Sequence, residues 1–136
     1  NPMIQLIVGG EGSGKTKKMI DMINASAKTT PGNIVCIEKS MKLTYDIDHS
    51  ARLIDVDEYG IDGYDMLYGF IAGVLAGNYD IVEVYLDGVL KLGHHDLDAL
   101  GALLPKLAAL TGDSVKMVIT VSADMEALPE SVKQFA

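Results

Sequence analysis

Residues 3–16, MIQLIVGGEGSGKT, limit what this chain can fold into more than any other stretch. They open with an apolar run, Met3-Ile4-Gln5-Leu6-Ile7-Val8, broken only by Gln5, which reads as a buried parallel strand. Next comes Gly9-Gly10-Glu11-Gly12-Ser13-Gly14-Lys15-Thr16, which meets G-x-x-x-x-G-K-[ST] at every fixed position. Residues 17–27 then predict a helix, with Met19, Ile20, Ile23 and Ala27 on one face. A strand feeding a glycine-rich turn that opens a helix belongs to an α/β sheet.

The chemistry follows from that order. A backbone curling round a phosphate must aim several N–H groups inward, and Gly9, Gly10, Gly12 and Gly14 are expected to supply positive φ and close approach. The loop ends at a helix N-terminus, where unbonded N–H groups and the helix dipole favour an anion. Lys15 is expected to reach the β- and γ-phosphates and the Thr16 hydroxyl to ligate Mg²⁺, with Glu11, Ser13 and Lys17 completing the nucleotide-binding stretch.

GGEGSGKT resembles the Walker A motif of the P-loop NTPases. Through IQLIVGGEGSGKTKKMI and YDIVEVYLDG, the chain also resembles short bacterial proteins, mostly Gram-positive, described as ATP-binding or "twitching motility PilT-like". The resemblance implies ATP as ligand. Pilus-retraction ATPases are similar to hexamer-forming proteins with a separate N-terminal domain and acidic and histidine boxes, for which 136 residues leave no room.

Further along, Thr29-Thr30-Pro31-Gly32-Asn33 is a turn and Ile34-Val35-Cys36-Ile37 a short strand. Residues 38–50 read as a polar loop, and residues 51–56 return to strand character before an acidic stretch ends it. A helix is predicted over 64–76, with Leu67, Phe70, Ile71, Val74 and Leu75 inward, and Gly69 and Gly73 either allowing close packing or lowering its stability. IVEVYL over 81–86 predicts a strand, closed by Asp87-Gly88. Leucines at 97, 100, 103, 104, 107 and 110 mark a helix interrupted at Pro105, as a kink or a break. Residues 115–121 make a last strand, and 125–136 a terminal helix. The reading is a single-domain (1–136), three-layer P-loop NTPase fold, with a mostly parallel sheet of about five strands flanked by helices.

A phosphate loop of this type needs a carboxylate for the Mg²⁺ shell, usually at the end of a neighbouring apolar strand. Asp87 after IVEVYL fits best, and Lys15 and Asp87 are the catalytic candidates. Asp57 is the rival, in Asp57-Glu58-Tyr59-Gly60, a D-x-x-G match. Hydrolases of this group often place a glutamate beside that aspartate, but here the neighbour is Gly88, so slow turnover is expected. Glu83 shares a strand face with Asp87 about 13 Å away and is a poor substitute. Thr120 and Ser122 close the last strand as possible γ-phosphate sensors, while His94-His95 read as solvated loop residues. Asp55-x-Asp57-x-Tyr59-Gly60 fails as a calcium loop, since Tyr59 and Met66 stand where ligands belong.

Composition narrows the partners. A net charge of −8 without a basic stripe disfavours direct nucleic-acid binding, and no apolar run approaches the roughly 18 residues of a membrane span. Cys36 alone can form no internal disulfide and reads as a buried thiol in a cytoplasmic protein. The tyrosines, Tyr45 among them, form no stacking array, and Met19, Met22, Met66 and Met117 are expected to fill the core. Asn1-Pro2 ahead of Met3 reads as a leftover of expression.

Three functions remain. The first is an ATP-binding protein, a slow Mg²⁺-dependent ATPase or nucleotide-dependent switch, working with a protein partner or as a homo-oligomer. The second is a small-molecule or nucleoside kinase of thymidine-kinase-like type, but a lone Arg52 cannot build the usual arginine clamp, and the glutamate and cysteine zinc site of that type are missing. The third is a non-catalytic nucleotide-binding module. Val121-Ser122-Ala123-Asp124 lacks the Asn and Lys of a guanine reader, so GTP is disfavoured.

Overall fold

A computed structural model describes residues 3–40, 43 and 46–136. Asn1-Pro2 and Tyr45 therefore lie outside the described residues. The chain alternates strand and helix: β1 (Ile4–Gly9), α1 (Lys15–Ala27), β2 (Asn33–Glu38), β3 (Arg52–Asp55), α2 (Gly63–Ala76), β4 (Ile81–Leu86), α3 (Val89–Leu92), α4 (Leu97–Thr111), β5 (Lys116–Ser122) and α5 (Glu130–Lys133). Short 3₁₀ turns follow β3 at Val56–Tyr59 and β5 at Met125–Ala127. The five strands form one sheet in the order β1-β5-β4-β2-β3, and all four pairings are parallel.

The strands read as continuous apolar runs because both sheet faces are covered. Side chains alternate between two cores. Ile4, Leu6, Val35, Ile37, Val84, Leu86, Met117, Ile119 and Val121 join the face carrying Leu67 and Ile71 of α2 and Leu100, Leu103, Leu104 and Leu107 of α4. Ile7, Ile34, Cys36, Tyr85 and Val118 face Met19 and Ile23 of α1, with Leu43, Ile47 and Ala51 of the connection after β2. This arrangement of helices on both faces is compatible with three layers.

Several expectations need correction. Pro105 does not divide its helix, since α4 runs unbroken from Leu97 to Thr111. The proline ring sits on the exposed side, while Leu100, Leu103, Leu104 and Leu107 bury the other side as one stripe. That shared burial outweighs the one backbone hydrogen bond a proline removes. The terminal segment is not a single helix, because Leu128 and Pro129 are extended and split it into the 3₁₀ turn and α5. A residue before proline avoids the helical region for steric reasons. Gly69 and Gly73 make no close packing, since a Cβ on either would meet nothing within 4 Å. Met19 and Met117 are fully buried and Met22 partly so, whereas Met66 is 47% exposed and fills no core.

The order β1-β5-β4 creates a crevice at the carboxyl end of the sheet. From β1 the chain passes to α1 on one face, and from the adjacent β5 it passes to Leu128 and Val132, buried on the other face with α4. Loops leaving neighbouring strands toward opposite faces open a gap between them, the usual ligand position in parallel sheets.

Candidate functional site

The crevice holds a cavity of about 210 Å³. Its walls come from the loop after β1 and the start of α1 (Glu11, Gly12, Gly14, Lys15, Thr16, Lys17), from the end of β4 onward (Asp87, Gly88, Lys91) and from Ser122 at the end of β5.

The local fold of the loop follows from its glycines, though not all in the expected way. Gly12 and Gly14 have φ of 74° and 85°, in the left-handed region that costs glycine little. Gly9 and Gly10 are not among the positive-φ residues. What Gly9 provides is space: a Cβ there would lie 2.4 Å from Ser13 Oγ. The loop closes on itself through a Ser13 N–H bond to the Gly10 carbonyl at 3.2 Å. Across its mouth, Lys15 Nζ donates to the same carbonyl at 2.9 Å, and the lysine is only 8% exposed.

α1 begins without a side-chain cap. Its N-cap is Gly14, and the backbone bond from Lys18 N–H to the Gly14 carbonyl comes after the N–H groups of Lys15, Thr16 and Lys17, which lie outside the helical ladder. The first turn carries no acidic residue. Instead it holds Lys15, Lys17 and Lys18 at the positive end of the helix dipole, where acids are normally favourable. Within the helix, Asp21 draws off Lys17 at 3.1 Å. Such a start gathers free N–H groups and ammonium groups at one place, an arrangement that favours an anion.

Opposite the loop, Asp87 ties three elements together. Its Oδ1 accepts the Thr16 hydroxyl at 3.2 Å and the Thr120 hydroxyl at 2.8 Å. Thr120 Oγ1 in turn accepts the Gly88 N–H at 2.7 Å. Thr120 is thus a buried support of Asp87, while Ser122, two residues on, faces the cavity. A hydroxyl and a carboxylate in contact are hard oxygen donors of the kind that hold Mg²⁺ alongside phosphate oxygens and water. Among the described residues, no group of three or more His, Cys, Asp or Glu side chains could hold a metal alone. Mg²⁺ needs no such cage, because it is usually bound through one or two carboxylates and keeps several waters.

The rival carboxylates lie elsewhere. Asp57 sits beyond β3, at the far edge of the sheet from β1, and accepts from Lys39 Nζ at 2.6 Å. Glu83 accepts from the hydroxyl of the fully buried Tyr85. His94 and His95 are exposed with positive φ, and His94 Nε2 lies 3.1 Å from Asp62 Oδ1, also exposed. Neither histidine lines the cavity. Glu38 ends β2, buried, and accepts the Leu43 N–H at 3.1 Å, which shapes the connection to β3.

Charge around Cys36 is equally constrained. Burial pushes its thiol well above the ordinary range, and the Glu38 and Asp87 carboxylates push it further. It therefore stays protonated beside the site and is a poor nucleophile.

The cavity also contains Lys91, which the sequence pattern did not single out. The short helix α3 brings it back beside Asp87, four residues earlier. A signal was present, since Val89-Leu90-x-Leu92 is apolar enough to pack a helical turn after Gly88, and all three residues are buried. No family model matches this chain, and no curated protein matches it.

Proposed function

We propose that this chain is a P-loop protein that binds a nucleoside triphosphate, ATP, together with Mg²⁺, and acts as a slow ATPase or nucleotide-dependent switch. The observation that carries this reading is the uncapped, lysine-bearing start of α1 sharing one cavity with the Thr16–Asp87 pair. Free N–H groups and Lys15 suit phosphate oxygens, and the adjacent hydroxyl and carboxylate suit the metal that accompanies them.

In this reading, Gly12 and Gly14 let the loop backbone turn around the phosphates. Lys15 exchanges the Gly10 carbonyl for a phosphate oxygen. Thr16 and Asp87 hold Mg²⁺, which when bound neutralises charge on the β- and γ-phosphates. Thr120 keeps the Asp87 carboxylate from swinging when Thr16 turns to the metal. Hydrolysis is slow because Gly88 follows Asp87 and offers no carboxylate to orient water. The kinase reading is weakened by Arg52, which opens β3 at the opposite end of the sheet from the cavity and cannot clamp a transferring phosphoryl group.

Calorimetric titration with ATP and GTP, each with and without Mg²⁺, tests the binding, and phosphate release under saturating ATP tests turnover. We expect ATP binding strengthened by Mg²⁺ and slow phosphate release. No heat with millimolar ATP and Mg²⁺ overturns the reading.

A further inference from the structure

Three of the ten lysines line one cavity in a protein of net charge −8. Lys15 and Lys17 belong to the loop and helix already described. Lys91 comes from the other wall, and its placement is specific. Its stem passes over Gly88, with Cδ 3.6 Å from where a Cβ at Gly88 would stand. Gly88 has φ of 68° and is fixed from below, because its N–H is held by Thr120. α3 is anchored by buried Val89, Leu90 and Leu92, so the backbone that carries Lys91 is packed although its side chain is exposed.

Of the other two lysines that line the cavity, Lys15 donates to the Gly10 carbonyl and Lys17 pairs with Asp21. Among the described residues, Lys91 has no ion pair, although Asp87 and Glu11 line the same cavity. An ammonium at the edge of this cavity with no ion pair is free to form a charge-assisted hydrogen bond with an anion that enters it.

Position selects which part of the ligand. On the proposed phosphate-loop reading, on which this inference rests, loop N–H groups would cradle the inner phosphates, and Thr16 and Asp87 would hold a metal that neutralises charge toward the outer end. Gly88 and Lys91 continue the cavity wall beyond Asp87, so on that reading they lie next to the outer end of the phosphate chain. We propose that Lys91 is a binding residue for the terminal phosphoryl group, and that it makes the site favour a triphosphate over a diphosphate. It takes from the opposite wall the place that an arginine fills in many phosphate sites, in a chain whose one arginine is remote.

The test compares ATP with ADP by calorimetry in Mg²⁺, for the natural protein, Lys91→Met, Lys91→Arg and Lys15→Ala. Lys91→Met should weaken ATP about tenfold or more, as for one lost charge-assisted hydrogen bond, while ADP changes less than about twofold. Lys91→Arg should keep most of the preference for ATP. Lys15→Ala should weaken both nucleotides. Equal loss of ATP and ADP in Lys91→Met, or no loss of either, overturns the Lys91 assignment while leaving the loop reading intact. If the natural protein binds neither nucleotide, or Lys15→Ala binds both unchanged, the loop reading falls and this assignment with it.

Discussion

Replacing Lys15 by alanine separates ligand binding from folding. In the folded protein its ammonium makes one hydrogen bond, to the Gly10 carbonyl at 2.9 Å, and its side chain bridges a loop instead of filling a core. Because the donor is charged, losing that bond should cost the unliganded protein up to about 1.5–3 kcal/mol. With unfolding entropy of about 2.1 cal/mol/K per residue, 136 residues give roughly 0.29 kcal/mol/K, so the unliganded Tm should fall by at most about 5–10 °C. Binding should lose a charge-assisted bond as well, which contributes about 1.5–3 kcal/mol and whose loss raises Kd by about 10–150-fold. Natural protein at a ligand concentration 100 times its Kd gains about 2.7 kcal/mol, or about 9 °C. At that same concentration, a variant with Kd raised 100-fold gains only about 0.4 kcal/mol, or about 1.5 °C. Thermal unfolding followed by circular dichroism, with and without ATP and Mg²⁺, reads both effects. If the variant keeps the full ligand-induced rise in Tm, Lys15 does not hold phosphate and the proposed site is wrong.

Asp87→Asn retains an oxygen that can accept from Thr16 and Thr120 but removes the charge. It should therefore lower ATP affinity in Mg²⁺ and leave affinity in EDTA nearly unchanged; equal loss in both buffers would make Asp87 a purely structural residue. Pro105→Ala restores a helical N–H on the exposed side of α4 and should raise stability by about 1–3 kcal/mol in urea unfolding. A neutral or negative change would mean that α4 is already adapted to its proline. At Gly93, a Cβ would come within 1.9 Å of the Tyr64 ring, whose hydroxyl is bonded to the Val89 carbonyl at 2.9 Å. Gly93→Ala should cost about 1–3 kcal/mol as an overpacked contact, and an unchanged urea midpoint would refute that packing.

The elements that the sequence made legible share one property: their signal is local. IQLIV, NIVCI, IVEVYL and VKMVITV are apolar runs of strand length, and the leucines of residues 97–110 repeat at helical spacing, so each could be placed without knowing its neighbours. The glycine-rich loop was equally visible. The strand order was not, because pairing β1 with β5 joins residues more than a hundred positions apart. Of the two readings of Pro105, the break fails because the proline's cost is local while the burial that offsets it comes from packing between α4 and the sheet. Lys91 was hidden for a related reason. Four residues are too few for a helical period to show, yet α3 is what returns this side chain to Asp87. Of the competing carboxylates, the apolar run before it already ranked Asp87 above Asp57 in the sequence. Sheet order adds the distance between them, by setting β4 two positions from β1 and β3 at the opposite edge.

The size of the hollow has a consequence for selectivity. At about 210 Å³, walled by glycines, lysines, hydroxyls and carboxylates, it falls below the roughly 300–1,000 Å³ usual for pockets that enclose a drug-sized molecule, and no aromatic ring among the described residues lines it. A nucleotide gripped here by its phosphates would leave its sugar and base outside this hollow. Discrimination between adenine and guanine would then be decided outside the cradle, and the cradle itself would count phosphates.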